Sequence, residues 1–264
     1  MQYPLSNQRM LLFTTLFGEN IMENSLAGKV AVLTGAGGGI GRATAEKLAG
    51  KQMKIALLGG NNQKNLQETA DIVKQYTECL ILPGDLTQDS FITENISRII
   101  EQFHGIDLLL NNAGVAQSTA FEDITLAEFD RIMAINLRVP FMLTKAALPY
   151  LKKSAMPTII NIASVVSHAG YPLHSIYTAS KHALLGMTKS LAAEYYKDNI
   201  RIHAIAPGGV YTNMVKISRP DLTGEGMIQP GEIADIIDFL LTHRGNAVID
   251  EILVHRVNKQ PFLI

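Results

Sequence analysis

From Gly28 onward, short apolar segments alternate with longer segments that have helical periodicity. The predicted strands, such as Asp107–Leu110, are apolar along nearly their whole length, which is typical of strands covered on both faces. Strand–helix alternation of this kind predicts right-handed crossovers and a parallel sheet. We therefore expect an α/β fold with a doubly wound, Rossmann-type sheet of about seven strands and helices on both faces.

The boundaries of these segments follow from the apolar pattern and the turn residues. The predicted strands span residues 30–34, 55–58, 79–82, 107–111, 158–162, 200–206 and 248–254. The predicted helices span residues 39–50, 63–76, 90–104, 126–153, 175–196 and 231–242. No repeat, low-complexity tract or linker interrupts the pattern, so residues 26–264 are predicted to form one domain.

Residues 1–25 precede this pattern and contain an apolar run, Met10–Phe17, that follows Arg9. One interpretation is a weak signal peptide or an amphipathic anchor. The other is a disordered extension, or residues ahead of a later start near Met22. The run is short, contains two threonines and lacks a small-residue cleavage site, which favours the second interpretation.

Composition excludes several classes of protein. The net charge of −1 gives no basic excess for binding nucleic acid or an anionic membrane. No stretch approaches the roughly 20 apolar residues that span a bilayer. Cys79 is the single cysteine, so no internal disulfide can form, and we predict a cytoplasmic protein.

A glycine-rich turn joins the first predicted strand to the first predicted helix, in the sequence Thr34-Gly-Ala-Gly-Gly-Gly-Ile-Gly41. Backbone N–H groups and the positive end of the helix can there approach a phosphate pair, provided that no side chain intervenes. A nucleotide-triphosphate loop would need Lys-Ser/Thr after the last glycine, but Arg42-Ala43 follows. The turn therefore predicts a dinucleotide site rather than a structural turn alone.

The end of the second strand usually selects between NAD and NADP. An acidic residue there holds the ribose 2′-hydroxyl, and a basic one favours a 2′-phosphate. Here Leu58 is followed by Gly60 and Asn61, with Lys64 one turn further on. The absence of an acid removes the usual repulsion of NADP, so we expect NADP ahead of NAD.

Tyr177 and Lys181 lie on one face of a predicted helix, because their spacing is i, i+4. An ammonium next to a phenol favours the phenolate and lowers its pKa, which suits proton transfer. The pair alone is common in ordinary helices. Other residues near the pair favour a catalytic role. Ser164 and residues 111–114 and 207–210 also lie at the ends of predicted strands, and these strand ends meet at one edge of a parallel sheet.

Together these segments resemble the short-chain dehydrogenase/reductase family, in its single-domain branch that includes ketoacyl reductases. The resemblance covers roughly residues 26–254 and depends on motifs that occur in the family's order. They are Thr34-Gly35-x-x-x-Gly39-x-Gly41, Asp85-Leu86, Asn111-Asn112-Ala113-Gly114, Asn136-Leu137, Ser164, Tyr177-x-x-x-Lys181 and Pro207-Gly208-x-Val210-x-Thr212.

The resemblance implies a role for each matching residue in hydride transfer between a nicotinamide and a carbonyl or secondary alcohol. Tyr177 would be the general acid or base, and Ser164 would orient the substrate oxygen. Lys181 would lower the pKa of Tyr177 and hold the nicotinamide ribose, and Asn136 would hold a water that links Lys181 to solvent. The remaining cofactor contacts implied are Gly35, Gly37, Gly38, Gly39, Ile40, Gly41, Gly60, Asn61, Asp85, Leu86, Asn112, Ala113, Gly114, Pro207, Gly208, Val210 and Thr212.

His203 departs from the family pattern, which often has asparagine there, and we interpret it as a hydrogen-bonded structural residue. No Gly-x-Ser-x-Gly motif supports a hydrolase, and the histidines do not cluster at metal-ligand spacing, so no metal is expected. Two alternative functions stay open: a dinucleotide-binding sensor or scaffold without catalysis, and an epimerase or dehydratase that uses the same tyrosine.

The resemblance also implies a homodimer or homotetramer, in which the helix 175–196 and residues 130–145 pair with their copies. An apolar side of that helix agrees with this, and its residues are Ala183, Leu184, Met187, Leu191 and Tyr195. Ordinary packing against the core is the alternative explanation for such a stripe.

Overall fold

The first strand shows how the sequence divides its side chains between the two faces of a sheet. The computed structural model describes residues 25–60, 62–218 and 223–260. In it Ala31 and Leu33 pack into one apolar core, and Val30 and Val32 pack into a second core. Because successive side chains of a strand point to opposite faces, a wholly apolar strand must be covered on both sides.

The described residues form seven strands and two layers of helices. The strands are β1 Val30–Thr34, β2 Lys54–Leu58, β3 Cys79–Leu82, β4 Leu108–Asn111, β5 Thr158–Ile162, β6 Arg201–Pro207 and β7 Glu251–Val254. The helices are α1 Gly39–Gly50, α2 Gln63–Val73, α3 Asp89–Phe103, α4 Leu126–Met133, α5 Val139–Leu151, α6 Ser175–Tyr195, α7 Asn213–Ser218 and α8 Pro230–Thr242.

All seven strands are parallel, in the order β3-β2-β1-β4-β5-β6-β7. The chain moves outward from β1 to β3 and then returns to place β4 on the other side of β1. This reversal is the switch point at which doubly wound sheets bind ligands, beyond the carboxyl ends of the strands. The predicted fold class is confirmed.

The two helical layers bury the two cores. Leu48 of α1, Leu66 of α2 and Ile237 of α8 pack on one face of the sheet. Ile99 of α3 and Leu143 of α5 pack on the other face. Burial of these large side chains stabilises the fold by roughly 2 kcal/mol each, and it fixes the strand ends from which the candidate site is built.

The predicted element boundaries differ from the structure at a few points. The helical segments predicted over residues 126–153 are α4 and α5, which are joined by a π-helical segment, Ala134–Arg138. β4 begins one residue later than predicted, because the carboxylate of Asp107 accepts a hydrogen bond from the backbone N–H of Val30 at 2.8 Å. β7 begins at Glu251 rather than at residue 248.

Residues 1–24 lie outside the described residues, so the N-terminal extension stays a prediction. Within the described ranges, no helix combines the length and the apolar character that a membrane span requires. The cytoplasmic location also stays a prediction.

Candidate active site

The glycine turn between β1 and α1 is held tightly against the end of β4. Gly35 has a φ of +67°, and a Cβ on it would lie 2.8 Å from Asn112 Nδ2. A Cβ on Gly41 would lie 2.4 Å from the carbonyl oxygen of Gly35. A Cβ on Gly38, by contrast, would meet no atom within 4 Å. The turn is therefore closely packed beneath and open above, where a ligand can approach its backbone.

Asn112 and Thr34 join the ends of β4 and β1. The Nδ2 group of Asn112 donates to the carbonyl oxygen of Thr34 at 2.9 Å. The hydroxyl of Thr34 accepts from the backbone N–H groups of Asn112 and Ala113, each at 3.0 Å. These bonds hold the switch point of the sheet in one conformation.

A cavity of about 430 Å³ lies above the glycine turn, within the size range of small-molecule sites. It contacts the ends of β1, β4, β5 and β6 and the start of α6. The predicted site residues that line it are Gly35, Gly37, Gly38, Gly39, Ile40, Gly60, Asn112, Ala113, Gly114, Ser164, Tyr177, Lys181, Pro207, Gly208, Val210 and Thr212. The structure thus brings most of the predicted residues together.

Four predicted residues do not line this cavity. Gly41 packs against Gly35, as described above, and Asn136 lies behind the lining. The carboxylate of Asp85 is held by the backbone N–H and hydroxyl of Thr87, at 2.9 and 2.8 Å, and these bonds lower its pKa. Leu86 covers Gly59, where a Cβ would lie 2.6 Å from the leucine side chain. Asn61 lies outside the described residues.

Ser164 and Tyr177 meet inside the cavity. Ser164 follows β5 and is only 7% exposed, and its hydroxyl donates to the carbonyl oxygen of Pro207 at 3.4 Å and lies close enough to the phenol of Tyr177 to affect its pKa. Burial raises the pKa of Tyr177, and the Ser164 hydroxyl opposes that rise only in part. At neutral pH the phenol therefore carries its proton.

Lys181 is buried one helical turn beyond Tyr177. Its Nζ donates to the carbonyl oxygen of Ile162 at 2.7 Å and lies 5.9 Å from the centre of the tyrosine ring. Desolvation lowers the pKa of Lys181 to about 8. In this structure burial of the phenol raises the pKa of Tyr177, and the ammonium of Lys181 donates to a backbone carbonyl, so the role of Lys181 in lowering that pKa stays a prediction.

Asn136 lies in the π-helical segment and is fully buried. Its Oδ1 accepts from the N–H of Val115 at 2.8 Å, and its Nδ2 donates to the Val115 carbonyl at 2.9 Å and to Ser180 Oγ at 3.0 Å. A Cβ on Gly114 would lie 3.4 Å from Asn136 Oδ1 and 3.6 Å from Lys181 Nζ. Both polar groups therefore lie beside Gly114.

Gln117 was missed by the sequence analysis. It is 3% exposed, and its Oε1 accepts from the backbone N–H groups of Ile176 and Tyr177 at 3.0 and 2.9 Å. These N–H groups belong to the first turn of α6, which has no partners for them within the helix. The partners are about 60 residues apart in sequence, so no local pattern could have shown the contact. Gln117 does not line the cavity itself; the lining residues that were missed are Asn62, Asn65, Leu66, Ile162, Ala163, Asn213, Met214 and Val215.

Three histidines, at positions 168, 174 and 203, lie in different surroundings. His203 is buried in β6 and its Nδ1 contacts the carbonyl oxygen of Ile249 at 2.6 Å, in agreement with a hydrogen-bonded structural residue. His168 pairs with Glu251 of β7. His174 contacts the ring of Tyr177 edge-on, with the ring centres 6.3 Å apart. Across the described residues, no three His, Cys, Asp or Glu side chains group as metal ligands would.

Sequence comparison identifies the family to which this site belongs. A profile of the short chain dehydrogenase family matches residues 29–223. A D-beta-hydroxybutyrate dehydrogenase of Rhizobium meliloti is 36% identical over 195 residues, which are 73% of this chain and 76% of that protein. A 3-oxoacyl-(acyl-carrier-protein) reductase of Aquifex aeolicus is 30% identical over 241 residues, which are 88% of this chain and 97% of that protein.

Structural comparison agrees with the sequence. A crystal structure of levodione reductase has a TM-score of 0.80 and 30% identity, and the match covers 87% of this chain and 96% of that one. A metagenomic short-chain oxidoreductase in complex with NADP has a TM-score of 0.76 and 31% identity, and covers 88% and 98% of the two chains. This chain belongs to the short-chain dehydrogenase family and is an oxidoreductase that acts on CH–OH or C=O groups.

Proposed function

We propose that this chain transfers a hydride between a nicotinamide dinucleotide and a carbonyl or secondary alcohol, with Tyr177 as the general acid or base. The observation that carries the proposal is that Ser164, Tyr177 and Lys181 line the same cavity as an open glycine turn. A proton donor, a hydrogen-bonding hydroxyl and a phosphate cradle in one cavity are what a carbonyl reductase needs.

The glycine turn fits a dinucleotide because its backbone is accessible where Gly38 faces open space. Gly37, Gly38 and Ile40 would hold the pyrophosphate at the amino end of α1, where N–H groups and the helix dipole favour anions. Asn112, Ala113 and Gly114 would line the ribose, and Asp85 and Leu86 would lie towards the adenine. Pro207, Gly208, Val210 and Thr212 would surround the nicotinamide. When bound, the nicotinamide supplies the hydride acceptor or donor.

The proton is supplied by Tyr177 in the direction of reduction. Because burial keeps the phenol neutral at physiological pH, it can donate to the carbonyl oxygen as negative charge develops there. The Ser164 hydroxyl, which lines the cavity beside the phenol, orients the same oxygen. In the direction of oxidation, the phenol first releases its proton to solvent, and the phenolate then accepts the proton of the alcohol while Ser164 orients the alcohol oxygen.

Lys181 would replenish that proton and would hold the sugar, while Asn136 would position a water. Below its pKa of about 8, the ammonium of Lys181 would bind the nicotinamide ribose hydroxyls. The second lone pair of Asn136 Oδ1 is available for a water beside Gly114, where Lys181 Nζ also lies. We assign this water the role of linking Lys181 to solvent.

NADP is proposed ahead of NAD. No carboxylate lines the cavity in the described ranges. The cavity therefore has no acid that would repel the 2′-phosphate of NADP or bind the ribose 2′-hydroxyl of NAD. Gly60, at the end of β2, would meet no atom within 4 Å if it carried a Cβ, which leaves room for the extra phosphate. The ratio of kcat/KM with NADPH to kcat/KM with NADH measures this preference directly, and a higher kcat/KM with NADH would contradict it.

The decisive experiment follows absorbance at 340 nm while NADPH or NADH is mixed with ketoacyl thioesters, sugars, diketones and aldehydes. The proposal expects cofactor oxidation matched by an equal amount of alcohol. A sensor or scaffold would bind NADPH without turnover on any substrate. An epimerase or dehydratase would convert substrate with no net consumption of cofactor.

We also propose that the chain forms a homodimer or homotetramer through α6 and α5. Ala183, Met187, Leu191 and Tyr195 of α6 are partly exposed, and Phe141 of α5 is 51% exposed. Leu184 does not belong to this surface, because it is 1% exposed and packs inward, so its inclusion in the sequence prediction was wrong. Sedimentation at micromolar concentration should give an oligomer, and a monomer would overturn the assignment.

A further inference from the structure

A second cavity, of about 530 Å³, lies at the amino edge of the sheet, opposite the candidate active site. It is formed by the start of β6, the end of α8 and the loop that leads to β7. Arg201, His203 and Arg244 supply its polar wall, and Phe239, Leu240 and Ile249 supply its apolar wall. Its volume is that of a small-molecule site, and no step of the proposed hydride transfer uses it.

The two guanidinium groups of this cavity lie close enough to repel each other. Arg244 donates to the hydroxyl of Thr158 at 2.6 Å, and Arg201 donates to the carbonyl oxygen of Gly245. Burial lowers the pKa of Arg244 to about 10, and the charge of Arg201 adds to this effect. Neither arginine forms an ion pair with any carboxylate in the part of the chain that the structure describes.

Uncompensated, partly buried cations of this kind are costly, because each loses hydration without gaining a counter-charge. Asp250 acts on the nearby His203 through space but pairs with neither arginine. The hydroxyl of Thr158 and the carbonyl of Gly245 hold the two side chains in place while leaving their net charge unbalanced. The cavity therefore presents two fixed positive charges to whatever enters it.

His203 adds a third polar group to the wall. Its Nδ1 must carry the proton, because the carbonyl oxygen of Ile249 can only accept. Its Nε2 is buried and has no hydrogen-bond partner among the described residues. A buried polar nitrogen left without a partner is unusual in a folded protein, and because this one can only accept, it favours a neighbour that donates, such as a water that bridges to a bound anion.

We propose that this cavity binds a phosphate monoester whose organic group is apolar. The N–H groups of a guanidinium match the spacing of phosphate oxygens. Two guanidinium charges are also balanced better by a phosphate dianion than by the single charge of a carboxylate. The ring of Phe239 stacks on His243, with centres 4.4 Å apart, and with Leu240 and Ile249 it offers an apolar surface for the ester group.

The test uses calorimetric titration of the full chain with phenyl phosphate, inorganic phosphate and benzoate, in a buffer free of phosphate and sulfate. Wild type is compared with Arg244→Gln and Arg201→Gln. Arg98→Gln serves as the matched control, since Arg98 is exposed on α3, away from this cavity, and donates a hydrogen bond to Asn95. Any phosphate bound at the glycine turn gives the same signal in all four proteins.

We expect each cavity variant to weaken phenyl phosphate binding at least about tenfold, and the control variant to leave it unchanged. Phenyl phosphate should bind more tightly than inorganic phosphate, because of the apolar wall, and more tightly than benzoate, because of its second charge. Circular dichroism checks folding, and the two arginines are tested separately so that one misfolded variant does not end the test. Equal affinity in wild type and both variants, or benzoate binding as tightly as phenyl phosphate, would overturn the proposal.

Discussion

The two edges of the sheet each contain a desolvated cation without a carboxylate partner in the described residues, yet their surroundings differ. At the carboxyl edge, Lys181 has a pKa of about 8 and lies near a phenol and a hydroxyl. At the amino edge, Arg244 has a pKa of about 10 and lies near a second guanidinium. Only the first cation can change its charge near neutral pH. Lys181 can therefore take part in proton transfer, whereas Arg244 can only hold charge.

Of the variants that test this difference between the two edges, Lys181→Met should have the largest effect on activity. Lys181→Met should lower kcat/KM at least about a hundredfold, because the ribose contact and the proton link are both lost. The same variant should be more stable at pH 7 by about 1 kcal/mol. Burial of the charged lysine costs about 3 kcal/mol, of which the bond to Ile162 recovers part.

The sign of the stability effect can be checked against pH. The pKa of Lys181 is lower in the folded protein, at about 8, than its ordinary value of 10.5. The folded protein therefore binds fewer protons between these values, and wild-type stability should rise across that window. Thermal denaturation at pH 7 and pH 10 measures this, and the advantage of Lys181→Met should shrink at pH 10. An advantage that does not change with pH would contradict the explanation.

Removing the acceptor of Gln117 should have a smaller effect. Gln117→Leu leaves the N–H groups of Ile176 and Tyr177 without their buried partner, so the phenol is held less accurately. We expect kcat to fall about tenfold while the dissociation constant for NADPH stays the same. The variant Gln117→Glu keeps an acceptor oxygen at this position and should therefore retain most of the wild-type kcat. Equal losses in both variants would show that the hydrogen bonds are not what matters.

The pH dependence of carbonyl reduction should show a smaller effect again. Tyr177 keeps its proton throughout the neutral range because burial raises its pKa, so the first group to titrate as pH rises is Lys181. We expect kcat/KM for reduction to fall to about half near pH 8 and to decline further above it. Rates measured from pH 6 to pH 10 test this, and a flat profile through pH 8 would exclude Lys181 as the titrating group.

A substitution at the amino edge of the sheet should have the smallest effect on carbonyl reduction. Arg244→Gln should change kcat/KM for carbonyl reduction by less than about twofold, since Arg244 lies at the opposite edge of the sheet from Tyr177. The same 340 nm assay measures it beside Lys181→Met. A loss comparable to that of Lys181→Met would mean that the two edges do not act separately.

Local patterns were sufficient to predict the fold. Strands such as Val30–Thr34 and Thr158–Ile162 were predicted at their observed boundaries, because apolar runs between glycine and polar turns have few alternatives in a buried parallel sheet. Most of the lining of the candidate site could also be predicted, since it consists of strand ends that a parallel sheet must bring to one edge.

What could not be predicted depends on contacts between distant segments. The hydrogen bonds from Ile176 and Tyr177 to Gln117 have no local signature, and neither does the π-helical segment that contains Asn136. Leu184 was assigned to the surface because an apolar stripe does not reveal which of its members face the core. The direction of Lys181 towards the carbonyl oxygen of Ile162 depends on tertiary packing, so the spacing of Tyr177 and Lys181 could not show it.

The central claim is that the phenol of Tyr177 transfers the proton. Its most direct test compares Tyr177→Phe with Tyr196→Phe, which removes a phenol that is 65% exposed just beyond α6. NADPH binding is followed by fluorescence, and carbonyl reduction by absorbance at 340 nm. We predict that Tyr177→Phe binds NADPH normally and loses activity by at least about a thousandfold, while Tyr196→Phe keeps both. Near-normal turnover in Tyr177→Phe on the same substrate would contradict the account.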